Sequence, residues 1–127
     1  MLIKIVVLAF GGALGTICRY VVSGIANRLF GYHFPWGTLI INLLGAFFVG
    51  IVWGFLEEKH VSYQMKLLIF TGFFGGFTTF SAFAIENVGL IREGAFGQVL
   101  TYVGLTNILG IALVFAGMFL VKLIRSF

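Results

Sequence analysis

The sequence has 127 residues, 61% of them apolar and only 9% charged, against about 25% charged residues in an ordinary soluble domain. That balance excludes a water-soluble globule, and with no Pro-, Ser- or charge-rich linker the chain reads as a single membrane domain over residues 1–127. The formal charge of +4 does not point to nucleic acid, because the basic residues fall near the ends of apolar runs, where they anchor helices and bias orientation.

A crossing needs about 20 apolar residues to span about 30 Å of hydrocarbon, and four segments qualify: Leu2–Asn27, Pro35–Leu56, Gln64–Ile91 and Phe96–Ile124. Lys4 ahead of an apolar run resembles a secretory signal, but the run exceeds about 15 residues and has no clean cleavage site, so it reads as a retained first crossing. Arg28 with Gly31 to His33, then Glu57 to His60, then Arg92 to Gly94 punctuate the segments. Pro35 suits the first turn of the second helix, where its missing amide hydrogen is not needed. An even number of crossings places both termini on one side. Lys4, Lys59, Lys66, Lys122 and Arg125 share that side against Arg28 and Arg92, which favours termini in the cytoplasm.

The third segment is long for one straight crossing, since about 28 residues at about 1.5 Å each give about 42 Å. Its centre, GFFGGFTTFSAF from Gly72 to Phe83, sets three glycines ahead of the β-branched Thr78 and Thr79, a composition poor for regular helix. A break is expected there, and irregular backbone at membrane depth belongs where protein buries it or where it lines a cavity. A continuous tilted helix with glycines for close packing is the alternative. Further glycines (Gly11, Gly12, Gly15, Gly45, Gly50, Gly104, Gly110, Gly117) suit close helix approach and assembly, with a homodimer the smallest assembly that encloses a polar path.

Polar side chains within crossings are costly and therefore informative. Arg19 reads either as a snorkelling anchor or as a functional cation. Asn42 offers two amide donors or serves as interhelical glue. Glu86, beside Asn87, is either a site residue or the charge partner of Arg19. Tyr102 and Thr106 share a helical face at a spacing of four, and Asn107 points toward a neighbouring helix. Phe80 and Phe83 flank Ser81, and a phenyl ring carries a positive edge that can stabilise a partly dehydrated anion. Cys18 has no partner cysteine and reads as a small buried hydrophobe. His33 and His60 lie in connections without clustered carboxylates, so neither an enzyme nor a metal-ligand cluster is indicated.

Three stretches, GGALGTICRY (Gly11–Tyr20), GTLIINLLGAF (Gly37–Phe47) and above all GFFGGFTTFSAF (Gly72–Phe83), give the whole chain a resemblance to the Fluc, or CrcB, fluoride channels. The resemblance implies an all-α membrane protein of four transmembrane helices with a break in the third, packed as an antiparallel, dual-topology homodimer in the inner membrane with two fluoride pores. It implies a pore lined by Asn42, Phe80, Phe83, Ser81, Tyr102 and Thr106, and a vestibule with Arg19 and Glu86. It also implies a structural sodium ion at the dimer centre on the carbonyls of Gly75 and Thr78. Gly110 departs from relatives that carry a hydroxyl one turn beyond Thr106, and the five-to-two basic asymmetry exceeds what dual topology suggests.

Passive fluoride efflux is the function expected, with fluoride, membrane lipid and a second copy of the chain as partners. Neutral amide, hydroxyl and ring-edge donors replace hydration without trapping the ion. The rival is a small proton-coupled multidrug exporter, which needs an embedded carboxylate, and Glu86 is the only candidate. A non-transporting assembly subunit accounts for the glycines and leaves the Phe-Ser-Ala-Phe run unexplained.

Overall fold

The computed structural model describes every residue from Met1 to Phe127. It holds four helical crossings, α1 (Leu2–Phe30), α2 (Trp36–Leu56), α3 (Tyr63–Arg92) and α4 (Phe96–Arg125), each long and apolar enough to traverse a membrane. The expected crossings are all present, and their ends differ for identifiable reasons. α1 continues to Phe30 because Arg28, read as punctuation, sits in the last turn, where a cation complements the helix dipole. Gly31 then ends the helix at φ 85°, its N–H donating to the Asn27 carbonyl at 2.9 Å. Pro35 lies just ahead of α2, and Asn27 Oδ1 accepts from the Gly37 N–H at 2.9 Å, so a side chain of α1 caps the start of α2.

The interior of α3 is irregular in three successive ways. Ser62 caps its start by accepting from the Met65 N–H; Leu67–Phe74 then widens into π-helix, and Gly75–Phe77 returns to one α turn. Thr78 (φ −85°, ψ 158°) and Thr79 (φ −148°, ψ 120°) are extended. Helix resumes over Phe80–Arg92, with Thr79 Oγ1 accepting from the Ala82 N–H at 3.3 Å as an N-cap.

The glycines ahead of the threonines are not the extended residues. Gly72 lies in the π-helical stretch and Gly75 and Gly76 in the α turn after it, so the extended break falls on the threonines that follow them. The role of the glycines is set by the opposing backbone. A Cβ on Gly11 would lie 2.6 Å from the Leu68 carbonyl oxygen, one on Gly15 would strike the Phe73 carbonyl, and one on Gly72 would lie 3.2 Å from Gly11 Cα. α1 and residues 67–77 therefore meet along a glycine seam, the form that close helix packing takes in lipid. A second seam joins α2 to the later part of α4, where Gly50 faces the Val114 carbonyl and Gly117 faces the Phe47 carbonyl.

The remaining packing unites the far ends of the crossings. Residues 80–92 of α3 lie against the first turns of α4, and Phe34, Leu39, Leu90 and Tyr102 form a small apolar core there. α4 also carries a π-helical stretch, Leu105–Leu109. Asn107 within it is exposed and donates to the Val103 carbonyl of its own helix at 2.8 Å, not to a neighbouring helix as expected. At the terminal end Arg125 pairs with Glu58 at 3.1 Å and donates to the Phe55 carbonyl, holding α4 to the end of α2. Only 20 of the 127 residues are buried, so the apolar exterior needs lipid or protein against it.

The seams make a direct prediction for stability. Gly117→Ala presses a methyl group into the α2 backbone and lowers stability by about 1–3 kcal/mol, seen as a reduced thermal unfolding temperature in detergent. Gly97→Ala, at a position with open space around it, leaves that temperature within about a degree or raises it.

Candidate functional site

The extended pair Thr78–Thr79 needs hydrogen-bond partners that the helix no longer supplies, and α2 provides them through Asn42. Asn42 Oδ1 accepts from the Thr79 N–H at 2.8 Å, and Asn42 Nδ2 donates to the Thr79 carbonyl at 3.0 Å. The amide thus imitates a neighbouring peptide group and satisfies both polar atoms of one residue. Each such group left unpaired away from water would cost about 1–3 kcal/mol. Gly45, one turn further along α2, makes room for this, since a Cβ there would strike Thr78 Cγ2. Because an amide nitrogen carries two hydrogens, Asn42 keeps one donor beyond this pairing.

Asn42, Phe80, Phe83 and Thr106 line one cavity of about 470 Å³, together with Gly75 and Thr78. The Phe80 and Phe83 rings sit 5.7 Å apart, tilted by 42°, and Phe80 is 79% exposed. Thr106 Oγ1 is buried and has no hydrogen-bond partner, although a helical threonine can ordinarily use its own backbone. The cavity therefore presents an amide donor, an unused hydroxyl and two aromatic rings, with no charged side chain on its wall. The Thr79 N–H, which would be the helical partner of the Gly75 carbonyl, goes instead to Asn42.

The other residues singled out from the sequence lie elsewhere. Arg19 and Ser81 share a second groove, of about 430 Å³, with Thr16, Ser23 and Thr38. Ser81 Oγ is 3.2 Å from Thr79 Oγ1. Glu86 opens onto a third cavity, also about 430 Å³, at the end of the molecule that carries the loops 31–35 and 93–95. Arg19 and Glu86 form no ion pair, which overturns the charge-pair alternative: the only ion pair is Arg125–Glu58. Instead Glu86 Oε1 accepts from the Thr38 hydroxyl at 2.7 Å and Oε2 from the Tyr102 hydroxyl at 2.6 Å.

Tyr102 is fully buried, and its ring meets Phe83 edge-on at 4.9 Å. The Glu86–Tyr102 pair therefore stands between the aromatic cavity and the loop-end cavity. Tyr102 and Thr106, four residues apart, both lie beside Phe83: Tyr102 through its ring, Thr106 through the cavity they line. Thr38 and Asn27 were not singled out from the sequence, and Thr79 was named only as part of the expected break. The Thr38 partner, Glu86, lies 48 positions away, and the Asn27 partner, Gly37, lies across the first loop.

Tyr102→Phe deprives Glu86 Oε2 of its donor and destabilises the fold by about 1–3 kcal/mol. Thr38→Val does the same at Oε1, and the double variant departs from additivity by more than about 0.5 kcal/mol because the two share one carboxylate. Unfolding of the four proteins of this cycle in detergent measures the coupling.

Comparison with known proteins agrees with this architecture. The family model described as CrcB-like protein, Camphor Resistance (CrcB), matches residues 6–118. A protein of Maridesulfovibrio salexigens named fluoride-specific ion channel FluC is 43% identical over 124 residues, covering 97% of this chain and 98% of the relative. Proteins of the same name from Parabacteroides distasonis and Agrobacterium fabrum are 42% and 41% identical, covering 95% and 92% of this chain and 94% of each relative. The chain is a multi-pass membrane protein of the CrcB family.

Proposed function

We propose that the chain is a fluoride channel that lets the ion leave the cell passively through the bacterial inner membrane. The observation that carries this reading is the uncharged cavity in which the spare Asn42 donor, the unpartnered Thr106 hydroxyl and the Phe80–Phe83 rings converge. Fluoride holds its water tightly, so a path must offer donors of comparable strength and still release the ion. Neutral donors and positive ring edges meet both needs. The full names of the relatives, fluoride-specific ion channels, agree with that chemistry. They offer nothing to the exporter alternative, which also requires a carboxylate free to exchange a proton for a cationic drug, whereas both oxygens of Glu86 already accept hydroxyls.

The path runs from the Arg19 groove, where a fixed cation concentrates the anion, past Asn42 and the two rings. It then follows Thr106 and Tyr102, with Glu86 on the vestibule side beside the Arg19 groove. Ser81 contributes its hydroxyl on the Arg19 side. The interruption at Thr78–Thr79 is the functional break of α3: it frees donors and acceptors that an unbroken helix would use internally. Arg19 attracts without trapping because it lines the groove and not the wall of the aromatic cavity.

The working unit is an antiparallel homodimer of chains inserted in both orientations, each burying exposed apolar surface such as Phe80 against its partner. The Gly75 and Thr78 carbonyls of both copies then hold a structural sodium ion at the centre. Neutral oxygens suit a hard monovalent cation, and the diverted Thr79 amide leaves the Gly75 oxygen without its helical donor. The ion supplies charge that fastens the two breaks together.

Purified protein in liposomes loaded with fluoride, with a potassium gradient and valinomycin to set the voltage, discharges fluoride faster than empty liposomes. Asn42→Ala and Phe80→Ile reduce the rate by at least about tenfold, equivalent to about 1.4 kcal/mol on the barrier. Flux equal to that of empty liposomes would contradict the channel reading. Exhaustive replacement of sodium by N-methylglucamine lowers both flux and dimer content by size exclusion, whereas an unchanged dimer would remove the ion's structural role.

A further inference from the structure

At the terminal end of the molecule α2 and α4 border a cleft of about 520 Å³ whose wall joins the carboxylates Glu57 and Glu58 to the cations Lys122 and Arg125. One pair is already satisfied: Arg125 bridges Glu58 at 3.1 Å, and its other guanidinium nitrogen donates to the Phe55 carbonyl at 2.8 Å. That is the only ion pair in the chain, so Glu57 and Lys122 line the same cleft without a partner. Helix stability does not account for Glu57. It caps the C-terminal end of α2, where the helix dipole repels a carboxylate, and the last turn carries no cation to offset it. Below the charged rim the wall turns apolar through Phe115, Met118 and Phe119, and the two phenylalanines are 66% and 63% exposed. From Phe115 to Arg125 the helix rises about 15 Å, the depth of one leaflet in a hydrocarbon core about 30 Å thick.

We propose that this cleft binds a phospholipid with a zwitterionic, primary-amine headgroup, phosphatidylethanolamine, with the phosphate on Lys122 and the ammonium on Glu57. The two signs of charge sit on different elements, the acids at the end of α2 and the bases on α4, so a headgroup that carries both charges matches the wall. A basic cluster alone would select anionic lipid, but here two carboxylates cancel that pull. A carboxylate accepts N–H donors, of which a primary ammonium has three and a trimethylated choline none. The Arg125–Glu58 bridge holds the floor of the site before the lipid arrives, and an acyl chain lies along Phe115 and Phe119. The proposal is independent of the fluoride reading.

Native mass spectrometry of the delipidated protein tests this, after incubation in detergent with equal amounts of phosphatidylethanolamine, phosphatidylcholine and phosphatidylglycerol of identical acyl chains. The unaltered protein is expected to retain phosphatidylethanolamine over each of the others by at least about threefold, the scale of one exposed ionic contact. Glu57→Gln is expected to bring phosphatidylethanolamine down to the level of phosphatidylcholine. Lys122→Gln is expected to lower retention of all three lipids by about two- to fivefold. Both positions are exposed, and Glu93→Gln, at the loop end, is expected to change neither quantity. Equal retention of the ethanolamine and choline lipids by the unaltered protein, a preference for phosphatidylglycerol, or a preference that survives Glu57→Gln overturns the proposal. Loss of the dimer on size exclusion in both cleft variants, with lipid retention unchanged, assigns the face to a second copy of the chain and overturns it as well.

Discussion

A membrane-embedded backbone must have its hydrogen bonds met within the protein, and the pairing of Asn42 with Thr79 is how this chain meets that condition at its most irregular point. One amide accepts from the Thr79 N–H and donates to the Thr79 carbonyl. The rest of the central architecture follows. With Thr79 held in extended form, its hydroxyl is placed to cap the helix that begins at Phe80, and the cap fixes where Phe80 and Phe83 stand relative to Asn42. Gly45 admits Thr78, and the glycine seam with α1 locks residues 67–77 from the other side.

The arrangement separates three kinds of polar environment that a uniform helix bundle would blur. Around Asn42 the donors are neutral; around Arg19 a fixed cation faces hydroxyls; around Glu86 a carboxylate is held by two hydroxyls from different helices. The Glu86 pairing has a structural consequence as well. It connects α2, α3 and α4 at the end of the molecule where the glycine seams are absent, and there it complements the small core of Phe34, Leu39, Leu90 and Tyr102.

The four crossings were legible in the sequence because membrane hydrophobicity is a property of composition over a window and needs no partner. Asn42, Glu86 and Arg19 were legible as polar residues in apolar surroundings, and the family pattern drew attention to Phe80 and Phe83. What was not legible was pairing. Asn42 read either as a free donor or as interhelical glue; the glue reading holds, and what stayed hidden was its partner, the Thr79 backbone 37 positions away. Glu86 invited Arg19 as a partner because charge suggests charge, yet two hydroxyls from α2 and α4 reach it. Gly72 and Gly76 serve close approach as well as the break, and which backbone they approach depends on α1, which the chain alone does not reveal. The spacing of four between Tyr102 and Thr106 was a sound guide, since both lie beside Phe83.

The account therefore depends on Thr78 and Thr79 being extended and on the Thr79 amide being held by a side chain. Solid-state NMR of the reconstituted protein in lipid reports both through the backbone carbon shifts of the two threonines and the exchange rate of the Thr79 amide. The account predicts extended-type shifts with a slowly exchanging Thr79 amide, and exchange that accelerates by at least about tenfold in Asn42→Ala. Helical shifts at both threonines, with Thr79 exchange indifferent to Asn42, would contradict it.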